Sequence, residues 1–150
     1  MNSQPNTIFL RLAGPMQSWG TSSQLQIRRT DNYPSRSGVL GIILCAMGVS
    51  REDSRRELEQ LTPLTMGVRV DRSGDKGWDY HTTGAGFGIL SAEGKIKTTY
   101  STGEFETQLS RRQYLYDASF LVALQGPSII IGACADALED PEIGRASCRE

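Results

Sequence analysis

The stretch from Gly38 to Val49, GVLGIILCAMGV, is the most apolar run of the chain, and wherever the chain folds this run must be buried. Val39, Leu40, Ile43, Leu44 and Met47 recur at helical spacing, so it reads as a helix laid against a core. Pro34 introduces it, Ser35 or Ser37 can cap it, and Gly48 fits its stop. The run is far shorter than the roughly 20 residues that span a bilayer. No leader-like stretch precedes Ile8, so a cytoplasmic chain with no membrane partner is expected.

Arg36 at the mouth of this helix needs a further explanation. A helix opening presents unpaired N–H groups and partial positive charge, a natural seat for phosphate. Arg36 with Ser35 and Ser37 adds donors at the same point. The alternative is an ordinary capped core helix with one solvated arginine.

Around this helix the pattern alternates between sheet and helix. TIFLRLAG places Ile8, Leu10 and Leu12 on one face of a strand ended by Gly14 and Pro15. SREDSRRELEQL reads as a second helix, and LTMGVRVD as a second strand through Met66, Val68 and Val70. A polar, glycine-rich excursion runs from about 71 to 112, and a long hairpin or a mobile excursion is expected there. QYLYDASFLVAL reads as one strong strand interrupted by Asp117. SIIIGACADALED then reads as a helix capped by Ser128.

The order β, α, β, excursion, β, α is that of an α+β ferredoxin-like domain, βαββαβ, also the plan of the RNA-recognition fold, with the last strand missing. Residues 1–141 are assigned to this domain. The tail EIGRASCRE, 142–150, equals in one frame the translation of a widely used sequencing adapter and is expected to be non-native, which would leave the chain truncated. The three cysteines form no CxxC or Cys/His spacing, so no metal site or disulfide framework is expected. No phosphate-binding loop, dinucleotide fingerprint or nucleophile elbow occurs, and no cofactor is expected.

Net charge is −1, yet residues 1–50 hold Arg11, Arg28, Arg29 and Arg36 against Asp31 alone. An anionic partner should meet this end. Gln17 and Trp19 in GPMQSWG follow the first strand, where Trp19 either stacks on a splayed base or closes the core. Arg111 and Arg112 form a second doublet where the excursion ends. The only histidine, His81, beside Tyr80 and with Lys95 or Lys97, could make a metal-free ribonuclease site; contact with RNA, or none, is the competing reading.

LRLAGPMQSWG, YPSRSGVLGIILCAMGVSRED, DYHT and YLYDASFLVAL together resemble the CasD family, RAMP-superfamily subunits of type I-E CRISPR Cascade complexes. The resemblance implies a non-catalytic RNA-binding subunit that holds the 5′ handle of the guide RNA and caps the backbone. The excursion would be the family's thumb hairpin. The handle-facing residues would be Gln17, Trp19, Arg28, Arg29, Ser35, Arg36, Ser37 and Arg112. The implied partners are the guide RNA, the backbone subunit, the large subunit and, through the complex, target DNA. The alternative function is a metal-independent endoribonuclease at Tyr80, His81, Lys95 and Lys97, which the resemblance to type I-E disfavours. A third reading is a ferredoxin-like module for protein or a small molecule.

Overall fold

The computed structural model describes residues 5–21, 26–50, 52–84, 88–90, 95–98, 103–105 and 107–142. The tail beyond Glu142 therefore lies outside the described residues. In chain order the elements are β1 (Pro5–Ala13), β2 (Met16–Gln17), β3 (Ile27–Arg28), α1 (Arg36–Ala46), α2 (Ser54–Gln60) and β4 (Thr65–Arg72). They continue with β5 (Asp75–Thr83), β6 (Ile89–Leu90), β7 (Ile96–Lys97), β8 (Gln108–Tyr116), β9 (Ser119–Pro127) and α3 (Ser128–Glu139). No helix among the described residues is long and apolar enough to cross a membrane.

The core sheet has the order β1-β9-β4, antiparallel throughout, with β9 paired along the whole length of β1. Placing the last long strand between the first two is the arrangement expected for the α+β ferredoxin-like plan. Among the described residues no strand covers the outer edge of β1. Alternation sends Leu10, Leu12, Met66, Val68, Phe120, Val122 and Leu124 to one face, where α1 and α3 cover them. Phe120, Val122 and Leu124 have no exposed surface. At about 1.5–3 kcal/mol for each buried side chain of this size, they dominate the local stability. Burial also pushes the Cys134 thiol of α3 up from its ordinary pKa, which leaves it a packing residue.

The helix expected from the apolar run is α1. Its N-cap is Ser35, whose Oγ accepts from Gly38 N at 3.2 Å, and Val39, Leu40, Ile43 and Leu44 are buried. Arg36 has a structural partner that its own neighbourhood does not reveal. Its Nη2 donates to the carbonyls of Thr62 (2.9 Å), Leu64 (3.0 Å) and Leu61 (3.4 Å). These carbonyls follow α2, where no backbone donor of that helix can reach them. The guanidinium thus ties the opening of α1 to the end of α2.

Three expectations are corrected. QYLYDASFLVAL is not one strand: Asp117 adopts φ 55°, and the chain turns there from β8 into β9, which belong to different sheets. Ser128 is the first residue of α3, and Pro127 occupies the N-cap position with no side-chain bond. The charged helix is shorter than its sequence pattern, because Ser50 Oγ bonds Asp53 in the turn before it instead of extending it.

The second sheet is built around β8. One edge of β8 pairs with β5 from Asp75↔Tyr116 to Thr83↔Gln108. The other takes β2 at Gln17↔Leu115 and, further along, β3 in parallel at Ile27↔Arg111 and Arg28↔Arg112. Between β5 and β8, β6 pairs with β7. The β5–β8 ladder is the hairpin expected in the excursion.

Three passages from the core sheet to the second sheet meet at one corner. Asp117 N donates to Pro15 O at 3.1 Å, and Gln17 Nε2 donates to Ala118 O at 2.8 Å. Gly74, in the turn from β4 to β5, has φ 70°, and a Cβ there would collide with Tyr116 O and Ala118. Gly74→Ala is expected to cost about 2–3 kcal/mol from left-handed strain and the collision, read as a fall of several degrees in the thermal midpoint. Arg36→Ala is expected to cost about 1–2 kcal/mol, discounted for its exposure, with loss of amide protection concentrated in α2.

Candidate nucleic-acid interface

The second sheet brings the two arginine doublets together. β3 runs parallel to β8 with Arg28 beside Arg112 and Ile27 beside Arg111, held by Arg111 N donating to Gln26 O at 2.7 Å. Neighbouring side chains of like charge repel across strands. Among the described residues no ion pair neutralises Arg28, Arg29, Arg111 or Arg112. Asp79 lies opposite Arg112 on β5, but Arg112 Nε donates instead to Ser110 Oγ at 3.2 Å. The result is a cationic ridge with unspent charge.

Period two divides this ridge between the faces of the sheet. Arg28, Arg112, Ser110, Asp79 and His81 share one face by register. Arg111, Ile27, Trp78 and Tyr80 share the other. Arg29 joins the second group: its Cζ and that of Arg111 each lie 5.6 Å from the centroid of the Trp78 ring, within cation–π range. Trp78 and Tyr80 remain 42% and 64% exposed. With Asp79 and Arg111 they line a cleft of about 300 Å³.

The other expected site residues fall into distinct places. Trp19 is 8% exposed and belongs to the core, with its ring so close to α1 that a Cβ on Gly38 would meet Cε3 at 3.0 Å. The structure therefore gives Trp19 the core-closing role. Its backbone is fixed by Thr30, whose Oγ1 accepts from Trp19 N at 2.7 Å, while Asp31 N donates to Trp19 O at 2.7 Å. These bonds seat the mouth of α1 directly after β3. Gln17 is committed to Ala118 through Nε2; its Oε1 and Trp19 Nε1 are buried without a hydrogen-bond partner among the described residues. Ser35 and Ser37 face each other, Oγ to Oγ 3.5 Å, and Arg36 turns away toward α2.

Tyr80 and His81, adjacent on β5, point to opposite faces of the strand. They do not converge on one reacting atom. Lys95 is exposed beyond β6, and the side chain of Lys97 lies outside the described residues. Among the described residues no group of His, Cys, Asp and Glu is arranged to hold a metal. At the root of the hairpin Arg69 donates to Asp71 Oδ1 at 2.6 Å and holds that carboxyl below its usual range. That acid is therefore already paired and does not offset the ridge.

Trp78 was not singled out by sequence reasoning, and Arg111 only as half of an arginine doublet. Their signal is the alternation in WDYH opposite SRRQ, which becomes legible only once β5 and β8 are known to pair.

Residues 7–148 match a family profile described as CRISPR-associated protein (Cas_Cas5). The chain is 33% identical over 156 residues to the CRISPR system Cascade subunit CasD of Escherichia coli strain K12. That alignment covers 94% of this chain and 66% of the relative. A solved chain titled CRISPR RNA-guided surveillance complex matches with TM-score 0.73 and 39% identity, covering 91% of this chain and 55% of that one. A second, titled Crystal structure of Cas protein, matches with TM-score 0.59 and 35% identity over 95% of this chain and 58% of that one. The chain thus spans about two thirds or less of the length of these relatives. Fold, sequence and profile agree, and the chain belongs to the Cas5 family of CRISPR-associated proteins.

Proposed function

We propose that the chain is a non-catalytic subunit of a CRISPR RNA-guided surveillance complex and holds the 5′ repeat-derived handle of the guide RNA. The observation that carries this reading is the pairing of Arg28 with Arg112 on adjacent strands, without an ion pair from the described residues. Like charges side by side destabilise a free sheet. A polyanion relieves that repulsion, and the counterions it sheds as its phosphates are neutralised add to binding. The mouth of α1, with Ser35 and Ser37, lies at the end of the segment that leads out of β3 and offers further donors. Arg36 contributes by holding that mouth in place, through Nη2.

The relatives extend the reading to partners. One is named as a Cascade subunit, and a solved match is titled as an RNA-guided surveillance complex. A backbone subunit, a large subunit and target DNA held through guide pairing are the corresponding partners, in the cytoplasm. The divergence of Tyr80 and His81 supports holding the RNA over cutting it.

Arg28→Gln with Arg112→Gln is expected to weaken binding of repeat-derived single-stranded RNA. The slope of log affinity against log salt should fall by about 1.4, two phosphate contacts at roughly 0.7 each, measured by fluorescence anisotropy across a salt series. An unchanged slope removes the ridge from the interface. When the chain is co-expressed with the other complex subunits and a repeat array, the bound guides should carry one uniform 5′ end. That end should be the same with His81→Ala, and guides left uncut by this variant would instead restore the endoribonuclease.

A further inference from the structure

The ridge explains attraction to phosphate but leaves the aromatic side of the hairpin unused. Trp78 and Tyr80 stand two residues apart on one face of β5, so their rings rise from the same side of the strand. Tyr80 is mostly exposed and Trp78 is 42% exposed, although large aromatic side chains ordinarily gain by burial. Arg29 and Arg111 come to the Trp78 ring from two other segments of the second sheet. Neither has an ion pair to a described residue. A Tyr80 ring open to solvent and a Trp78 ring with two guanidinium groups over it fit a ligand that is planar and anionic at once, its phosphates drawing the guanidiniums off the ring. An acidic peptide would satisfy the arginines and leave the rings bare. Unpaired nucleotides satisfy both, because every base has a face to stack and every linkage a phosphate.

We infer that Trp78 and Tyr80 form a stacking platform for unpaired bases of single-stranded RNA, with Arg29 and Arg111 as the ligands of the flanking phosphates. The inference rests on the RNA-holding reading and adds to it a second contact surface, on the face of the sheet opposite Arg28 and Arg112. The cleft of about 300 Å³ lined by Trp78, Asp79, Tyr80 and Arg111 is of the size of small-ligand sites. Its contribution depends on bases and not on their sequence. The platform therefore grips the RNA without reading it.

The chain has two tryptophans, and Trp19 is buried, so fluorescence changes on binding report chiefly on Trp78. The full chain is titrated with a short unstructured oligoribonucleotide, with an abasic strand of the same length, and with polyglutamate. The oligoribonucleotide should quench Trp78, by difference from Trp78→Phe, and the abasic strand should not. Trp78→Ala with Tyr80→Ala should bind the oligoribonucleotide at least about tenfold more weakly and the abasic strand as before. Trp78→Phe, which keeps a ring, should stay within a few-fold of the parent.

If the double alanine variant binds RNA undiminished while Arg28→Gln with Arg112→Gln does not, the platform is overturned and the ridge stands. If the parent chain fails to bind RNA at all, both readings fall together. Quenching by polyglutamate equal to that by RNA would make the patch a protein-facing surface and overturn the platform.

Discussion

Everything in this molecule hangs on the corner at which the core sheet and the second sheet join. Asp117 takes a left-handed backbone conformation, which Asp tolerates better than most residues. Its N–H is held by Pro15 O, and Gly74 passes so close that no side chain fits. With this corner in place β9 enters the core beneath α1 and α3 while β8 departs at its own angle. A straight strand through Asp117 would bring Arg111 and Arg112 into line with the core sheet. The cationic ridge exists because the strand breaks.

One side chain couples the core to this outer sheet, and a second braces the helix that it touches. Trp19 lies against the first turn of α1 while its backbone bonds Thr30 and Asp31, just after β3. Arg36 binds the same helix opening to the carbonyls after α2. The helix mouth is thus braced from both sides by residues whose chemistry alone suggests RNA contact. In the proposed reading they shape the surface, and the free charge comes from the arginines on and beside the strands.

What could be read from the sequence was local. The alternation of Ile8, Leu10 and Leu12 and the helical spacing of Val39, Leu40, Ile43 and Leu44 report burial directly, and the structure buries or half-buries each of them. The order of elements was enough for the α+β plan. What escaped was every feature decided between distant segments. Nothing near Arg36 announces that three carbonyls following α2 await it. The partner of Arg28 is known only from the register of β3 on β8. In the sequence Trp78 is one aromatic residue in a polar excursion, and its two guanidinium neighbours arrive from elsewhere in the chain. Asp117 misled for another reason: on either side of it the β propensity is strong, and propensity does not reveal that a chain changes sheets.

The adjacency of each arginine pair has a consequence for how errors are tolerated. On a strand, consecutive residues serve opposite faces, so a slip of β3 by one residue exchanges Arg28 with Arg29 and still leaves a cation on each side. Doubling the residue makes the charge pattern insensitive to alignment. Trp78 has no such twin, since Gly77 and Asp79 flank it. A shift of β5 against β8 would keep the positive field and lose the ring. The positive field of this fold is therefore robust to imperfect strand alignment, and the placement of its ring is not.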